Sequence, residues 1–129
     1  MSSGTKGRLL VVDDEPDIVT VLTRGLSANG FQVDAFANPV DALANYQPQR
    51  YSAIILDVRM PNMSGFELAR KIWKDDPEAQ ICFLTAYEVY EQEVKWVFPS
   101  LKSYCFIKKP LSVSDLVAHI YKHLVIKAE

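Results

Sequence analysis

Several residues with acidic, hydroxyl or amino side chains directly follow short apolar runs in this chain. Asp13 and Asp14 follow the run LLVV, and Asp57 follows the run AIIL. Thr85 and Lys109 stand at the ends of two further apolar runs. An unbroken short apolar run with β-branched members is typical of a strand buried on both faces. The pattern therefore predicts that each of these five side chains stands at the end of a buried strand.

Together these groups have the chemistry of phosphoryl transfer. Three neighbouring carboxylates repel one another, so at neutral pH they need a cation or protons. Mg²⁺, with Mn²⁺ as the alternative, takes oxygen ligands of this kind. A carboxylate can attack phosphorus and form an acyl phosphate, while a metal and a lysine neutralise the equatorial oxygens. Asp57 stands alone, whereas Asp13 and Asp14 form a pair suited to a metal, so we predict Asp57 as the nucleophile. Thr85 offers a hydroxyl donor and Lys109 a mobile point charge.

The order of the elements explains how residues far apart in sequence reach one site. Strands are predicted at Leu9–Val12, Phe31–Phe36, Ala53–Leu56, Gln80–Leu84 and Tyr104–Ile107. Each is followed by a segment with helical spacing, and the first of these carries an apolar stripe of Ile18, Val21, Leu22, Gly25 and Leu26. The last helix is predicted to begin at a cap, either Ser112 or Ser114. Five alternations of strand and helix predict an α/β fold with a doubly wound parallel sheet. The carboxyl ends of its strands then lie along one edge.

Length and composition limit the possible classes of protein. With 129 residues, 49% hydrophobic and 23% charged, the chain suits one compact domain. A net charge of −2 argues against direct nucleic-acid binding. We find neither a secretory signal nor an apolar run of membrane-spanning length. We therefore predict a soluble, cytoplasmic protein without membrane contact, with a flexible leader at residues 1–7, a domain at 8–126 and a C-terminal end at 127–129.

Two further residue pairs invite a structural interpretation. Cys82 and Cys105 both lie in apolar runs, and we predict buried, reduced thiols rather than a disulfide or a metal pair. His119 and His123 have the spacing of metal ligands on a helix, but they lie off its apolar stripe. We interpret them as surface residues.

The segments VVDDEP, DVRMPNMSG, TA and KKP, in this order, resemble the receiver domain of two-component response regulators over about residues 8–126. The resemblance implies a flavodoxin-like (βα)5 fold with strand order 2-1-3-4-5. It implies that Asp57 is the phosphoacceptor for a histidine kinase or histidine phosphotransfer protein. It also implies that Asp14 and Asp57 bind Mg²⁺ directly, Asp13 through water, and Arg59 through its backbone carbonyl.

The resemblance extends to a conformational switch. It implies that Lys109 contacts the phosphoryl group, that the Lys109–Pro110 bond is cis, and that Thr85 and Phe106 move together on phosphorylation. The surface of the fourth helix, fifth strand and fifth helix would then change and control an effector domain or protein. The domain would be a signalling element rather than an enzyme, catalysing only its own phosphorylation and dephosphorylation, as a monomer or a phosphorylation-dependent homodimer. The segment Leu101–Tyr104 departs from the Gly-Ala turn usual in the family.

Other functions use similar residues. A Mg²⁺-dependent aspartyl phosphatase or phosphotransferase of the haloacid-dehalogenase type also has a strand-end aspartate, but Asp13-Asp14-Glu15-Pro16 does not match its motif. A flavin-binding domain would need a hydroxyl- and glycine-rich phosphate loop after the first strand, where Asp13 and Asp14 would repel a phosphate. A receiver-like module that only binds partners would not need the intact acid set.

Overall fold

The computed structural model describes residues 7–86, 105–109 and 112–123. The helix expected at residues 87–98, the turn at Leu101–Tyr104 and the Lys109–Pro110 peptide bond lie outside the described residues.

Within the described residues, the strands and helices follow one another in the predicted order. The strands are β1 (Arg8–Val12), β2 (Gln32–Phe36), β3 (Ala53–Asp57), β4 (Ile81–Thr85) and β5 (Phe106–Lys108). The helices are α1 (Pro16–Ala28), α2 (Pro39–Ala44), α3 (Gly65–Asp75) and a C-terminal helix (Val113–His123). All neighbouring strands are parallel, and their order is β2-β1-β3-β4-β5. The predicted fold class and strand order are thus confirmed.

The sheet is covered by apolar side chains on both faces, as a parallel sheet requires. Alternate residues of the central strands point to opposite sides. One face packs against α1 and the C-terminal helix through Leu9, Val11, Ile55, Leu84, Leu22, Leu26, Leu116 and Ile120. The other packs against α2 and α3 through Leu10, Val12, Ile54, Leu56, Phe83, Ala42, Leu68 and Ile72. This double burial holds the strand ends in fixed positions.

Short polar residues begin three of the helices. The side chains of Asn38, Ser64 and Ser112 each accept a hydrogen bond from a backbone N–H in the first turn, at 2.8, 3.1 and 3.1 Å respectively. Such caps satisfy N–H groups that have no partner within the helix. Of the two serines predicted to cap the C-terminal helix, the structure selects Ser112.

Two side chains differ from the helical interpretation. Val21 is 57% exposed, so it does not belong to the buried stripe of α1. The buried residues of α1 are Leu22 and Leu26, which face the sheet. His119 is only partly exposed, and its Nδ1 is shielded from solvent. The prediction that His119 is a surface residue therefore holds only in part, and the side chain of His123 lies outside those that the structure describes.

The prediction of two reduced thiols is also wrong. Cys82 and Cys105 are buried as expected, at 0% and 7% exposure, but they form a disulfide. The register that pairs Phe83 with Phe106 brings the two cysteines side by side, with their Cα atoms 4.6 Å apart. That separation falls within the range a disulfide spans. The register of two strands is a tertiary property, which the separate apolar runs did not disclose.

Within the described residues, none of the helices combines the length and apolarity needed to span a bilayer.

Candidate functional site

The carboxyl edge of the sheet brings the predicted residues together. Asp57 and Thr85 are the last residues of β3 and β4, while Asp13 and Lys109 directly follow β1 and β5. Asp13, Asp14 and Asp57 each offer a carboxylate oxygen, and these oxygens all lie within 4.8 Å of one another. The Nζ atom of Lys109 lies 2.8 Å from Oδ2 of Asp13 and 3.5 Å from Oδ1 of Asp57. Four charged groups from distant parts of the chain thus converge in one pocket, and Thr85 ends the strand next to β3 at the same edge of the sheet.

Burial and repulsion dominate the electrostatics of Asp57. Its residue is only 4% exposed. Burial, followed by the charge of Asp13, raises the pKa of Asp57 from 3.8 to about 7, against the opposing effect of Lys109. For Lys109, burial alone would lower the pKa, but the hydrogen bond and charge of Asp13 outweigh it and raise the pKa. The pocket therefore holds a charged lysine beside a carboxylate that ionises with difficulty.

Backbone hydrogen bonds fix the Asp13 carboxylate. The Asp13 N–H donates to the carbonyl of Phe36 at 3.2 Å, which ties the end of β1 to the end of β2. One carboxylate oxygen of Asp13 accepts from the Glu15 N–H at 2.9 Å. The other faces Lys109. The backbone at the start of α1 thus orients the Asp13 carboxylate. The position of this carboxylate in turn limits where the Lys109 side chain can lie.

A similar arrangement positions Thr85 and Lys109. Thr85 is buried, and its backbone carbonyl accepts a hydrogen bond from the Lys109 N–H at 2.7 Å. This bond joins the ends of β4 and β5, so the placement of the lysine depends on the pairing of these two strands. Lys108, whose side chain points the other way along β5, is exposed as predicted.

The sequence interpretation missed two residues that adjoin the site. The exposed side chain of Glu15 places Oε1 3.5 Å from Lys109 Nζ. Gly65 packs directly against the Asp57 peptide. A β-carbon at this position would overlap the Asp57 carbonyl oxygen, so only glycine fits here without a shift of the backbone. The Gly65 N–H also donates to Val58 O at 2.9 Å. A glycine directly after the helix cap Ser64 was the available signal.

The remaining predicted residues are Phe106, on β5, and Arg59, in the segment between β3 and α3. Phe106 is partly buried on β5, and its ring stacks on Phe83, with centroids 5.4 Å apart and planes inclined by 27°. Its centroid also lies 6.3 Å from that of Phe66, in an edge-to-face arrangement. Arg59 lies in the segment between β3 and α3, two residues beyond Asp57, and is exposed. The Phe106 ring therefore packs against Phe83 of β4 and Phe66 of α3.

The acidic cluster suits a hard divalent cation. Its donors are all carboxylate oxygens, the ligand type that Mg²⁺ prefers. Oδ2 of Asp13 is buried, and among the described residues its close partner is the Lys109 ammonium group at 2.8 Å. Burial and the negative charge of Asp13 raise the pKa of Asp57, so a second positive charge beside Lys109 would favour its ionised form. A bound cation would supply it.

Replacing Asp57 by asparagine is expected to stabilise the metal-free protein. The carboxyl group ionises at its ordinary pKa of 3.8 when unfolded and at about 7 when folded, so ionisation favours the unfolded chain. The free energy of unfolding therefore falls as the pH rises from 3.8 to about 7. Such a shift corresponds to at most about 4 kcal/mol. Urea unfolding at about pH 8 in a chelator would measure the gain in Asp57→Asn.

The exposed Asp17, in the first turn of α1, provides the control for this substitution. Asp17→Asn should give no comparable gain, and added Mg²⁺ should remove the advantage of Asp57→Asn. Equal stability of wild type and Asp57→Asn in chelator would contradict the repulsion inferred for the pocket.

Comparisons with known proteins agree on one family. The family described as "Response regulator receiver domain" matches residues 9–121. The response regulator receiver protein CpdR of Brucella abortus (strain 2308) is 30% identical over 118 residues, which are 92% of this chain and 97% of CpdR. The transcriptional regulatory protein PrrA of Mycobacterium leprae (strain TN) is 32% identical over 113 residues, covering 88% of this chain but 48% of PrrA. The chain thus spans about half the length of that relative.

Solved structures show the same likeness. The chemotaxis protein CheY4 of Vibrio cholerae superposes with a TM-score of 0.81 at 30% identity, covering 92% of this chain and 98% of CheY4. The response regulator TrrA of Thermotoga maritima, solved in complex with Mg(2+)-BeF, gives a TM-score of 0.74 at 34% identity, covering 92% and 99%. Together with the matching family and the shared fold, these likenesses show that this chain belongs to the response regulator receiver domain family of two-component signalling proteins.

Proposed function

We propose that Asp57 accepts a phosphoryl group from a histidine kinase or a histidine phosphotransfer protein. One observation carries this proposal, namely the convergence of Asp13, Asp14 and Lys109 on the buried Asp57 carboxylate. Asp57 is the last residue of the central strand β3, and Lys109 lies within reach of both Asp57 and Asp13. Membership of the receiver family supports the same assignment.

The transfer itself is a substitution at phosphorus. An Asp57 carboxylate oxygen attacks, the bond from phosphorus to the donor atom breaks, and the donor keeps the electron pair. Asp57 becomes an acyl phosphate. Lys109, which is 2.8 Å from Asp13 and 3.5 Å from Asp57, needs only a small movement of Nζ to reach a phosphoryl oxygen. The Thr85 hydroxyl donates a second hydrogen bond to that group.

A divalent cation, Mg²⁺ or alternatively Mn²⁺, is the cofactor that these residues suit. Asp14 and Asp57 would hold it directly, Asp13 through water, and Arg59 through its backbone carbonyl. The cluster of carboxylate oxygens supports this assignment, as does the complex of TrrA with Mg(2+)-BeF. When bound, the ion would neutralise charge on the oxygens of the transferred group.

Phosphorylation then acts on a two-state element. Thr85 and Phe106 form its switch, and the surface of the predicted fourth helix, β5 and the C-terminal helix forms its output. Phe106 has no hydroxyl group, so it can bury its ring without losing a hydrogen bond. The partner is an effector domain or protein, and the domain acts as a monomer or a phosphorylation-dependent homodimer without binding nucleic acid itself.

Intact mass after incubation with acetyl phosphate and Mg²⁺ tests the proposal. Wild type should gain one phosphoryl group, and Asp57→Asn should gain none. Wild type in a chelator should gain little, while the control Asp17→Asn should behave as wild type with Mg²⁺. Phosphorylation of Asp57→Asn to the wild-type extent would refute the assignment of the acceptor. Many turnovers on a phosphate monoester would instead support the aspartyl phosphatase.

A further inference from the structure

The disulfide connects the two strands on which the proposed switch depends. Cys82 lies on β4, three residues before Thr85, and Cys105 directly precedes Phe106. The two strand ends meet again at the hydrogen bond from the Lys109 N–H to Thr85 O. The covalent bond and the Lys109 side chain are thus at opposite ends of the same short pair of strands.

β5 is the least supported strand of the sheet. It lies at the edge, and only three register pairs join it to β4 within the described residues. Two further hydrogen bonds flank these pairs, from the Phe83 N–H to Cys105 O at 2.8 Å beside the disulfide and from the Lys109 N–H to Thr85 O at 2.7 Å. An edge strand with so few partners frays easily. The disulfide therefore contributes a large share of what fixes β5, and hence Lys109, against β4.

The disulfide also closes a covalent loop. Cys82 and Cys105 are 23 positions apart, and the chain between them contains the predicted fourth helix. That helix belongs to the output surface of the proposed switch. Breaking one covalent bond would therefore release both the strand that carries Lys109 and one end of the output segment.

We propose that the Cys82–Cys105 pair is a redox modification site that takes a dithiol reductant, and that its reduction slows phosphorylation of Asp57 by loosening the placement of Lys109. This inference rests on the proposed function of Asp57. Cys82 lies on β4 and Cys105 directly precedes β5, so the disulfide acts on the proposed switch strands without a second binding site.

The redox step is an ordinary thiol–disulfide exchange. A thiolate of the dithiol attacks Cys105, the more exposed of the two and the one next to the edge strand, and the Cys82 sulfur leaves as a thiolate. The second thiol of the reductant then displaces Cys105 from the mixed disulfide. Two electrons pass from the dithiol, which becomes a disulfide, and the two protons end on Cys82 and Cys105. Reoxidation by a disulfide of the same class reverses these steps.

The rate constant of phosphorylation in the two redox states tests this coupling. Oxidised protein and protein reduced with dithiothreitol would be incubated with acetyl phosphate and Mg²⁺, with the thiol state verified by alkylation and intact mass. The reduced form should react roughly tenfold more slowly, since small displacements of a catalytic group carry effects of this order or larger. Equal rate constants in the two states would overturn the inference, as would alkylation of both cysteines without reductant.

The variant carrying both Cys82→Ala and Cys105→Ala separates the disulfide from other effects of the reductant. It should react at the rate of the reduced wild type, whether or not dithiothreitol is present. A variant as fast as the oxidised protein would overturn the inference. The comparison of oxidised and reduced wild type needs no substitution, so it remains decisive even if the variant folds poorly. Failure of both wild-type states to accept a phosphoryl group would overturn the proposed function, and this inference with it.

Discussion

Replacement of Lys109 by alanine should slow phosphorylation of Asp57 by acetyl phosphate about 100-fold. The Lys109 side chain is 10% exposed, and its Nζ lies 3.5 Å from Asp57 Oδ1, so it acts with little solvent screening. Loss of one preorganised charge or donor from a buried reaction site has effects of about this size. The rate constant would be measured by intact mass over time, at saturating Mg²⁺.

The neighbouring Lys108 provides a matched control. It is exposed and carries the same charge, so Lys108→Ala should leave the rate within about twofold of wild type, as for an ordinary surface charge. Lys109→Ala also leaves the fully buried Asp13 without its cation, which costs about 3 kcal/mol. Thermal unfolding would therefore establish that the variant is folded at the assay temperature. Equal slowing by both alanine substitutions would contradict a specific role for Lys109.

The substitution Gly65→Ala should both destabilise the fold and slow phosphorylation. The added β-carbon would overlap the backbone carbonyl of Asp57, and it would lie only 3.1 Å from Val58 Cα. Backbone atoms of a central strand cannot move aside as a flexible side chain does, so either α3 or Asp57 must shift. We expect a loss of about 3 kcal/mol in urea unfolding and a decrease of about tenfold in the phosphorylation rate.

Gly25→Ala distinguishes the site from a general intolerance of alanine. A β-carbon at Gly25 would meet the side chain of Val113 rather than backbone, and this contact lies between α1 and the C-terminal helix. Alanine also favours the helix interior by about 1 kcal/mol over glycine. The net cost should be smaller than for Gly65→Ala, with phosphorylation unchanged. A Gly65→Ala variant as stable and as reactive as wild type would show that α3 can shift without loss of stability, which would contradict this prediction.

Local sequence determined which segments form strands and helices. Continuous apolar runs such as AIIL before Asp57 suit the strands of a parallel sheet, because both faces of such a strand are buried. Caps such as Asn38 and Ser64 define where helices begin, since their side chains bond to N–H groups within the same turn. The polar residues at strand ends followed from this alternation. The strand order, by contrast, came from the resemblance to receiver domains rather than from any local pattern.

Tertiary structure alone decided how the elements meet. The register of β4 against β5 aligns Cys82 with Cys105, although each run by itself indicates only a buried thiol. The approach of α3 to β3 makes Gly65 a neighbour of Asp57, and the packing of α1 leaves Val21 exposed. Sequence patterns reflect the periodicity within a single helix or strand. These contacts depend instead on how two such elements are placed relative to each other. The sequence pattern likewise predicted which residues form the acidic pocket. Their distances depend on the fold, which places Lys109 closer to Asp13 than to Asp57.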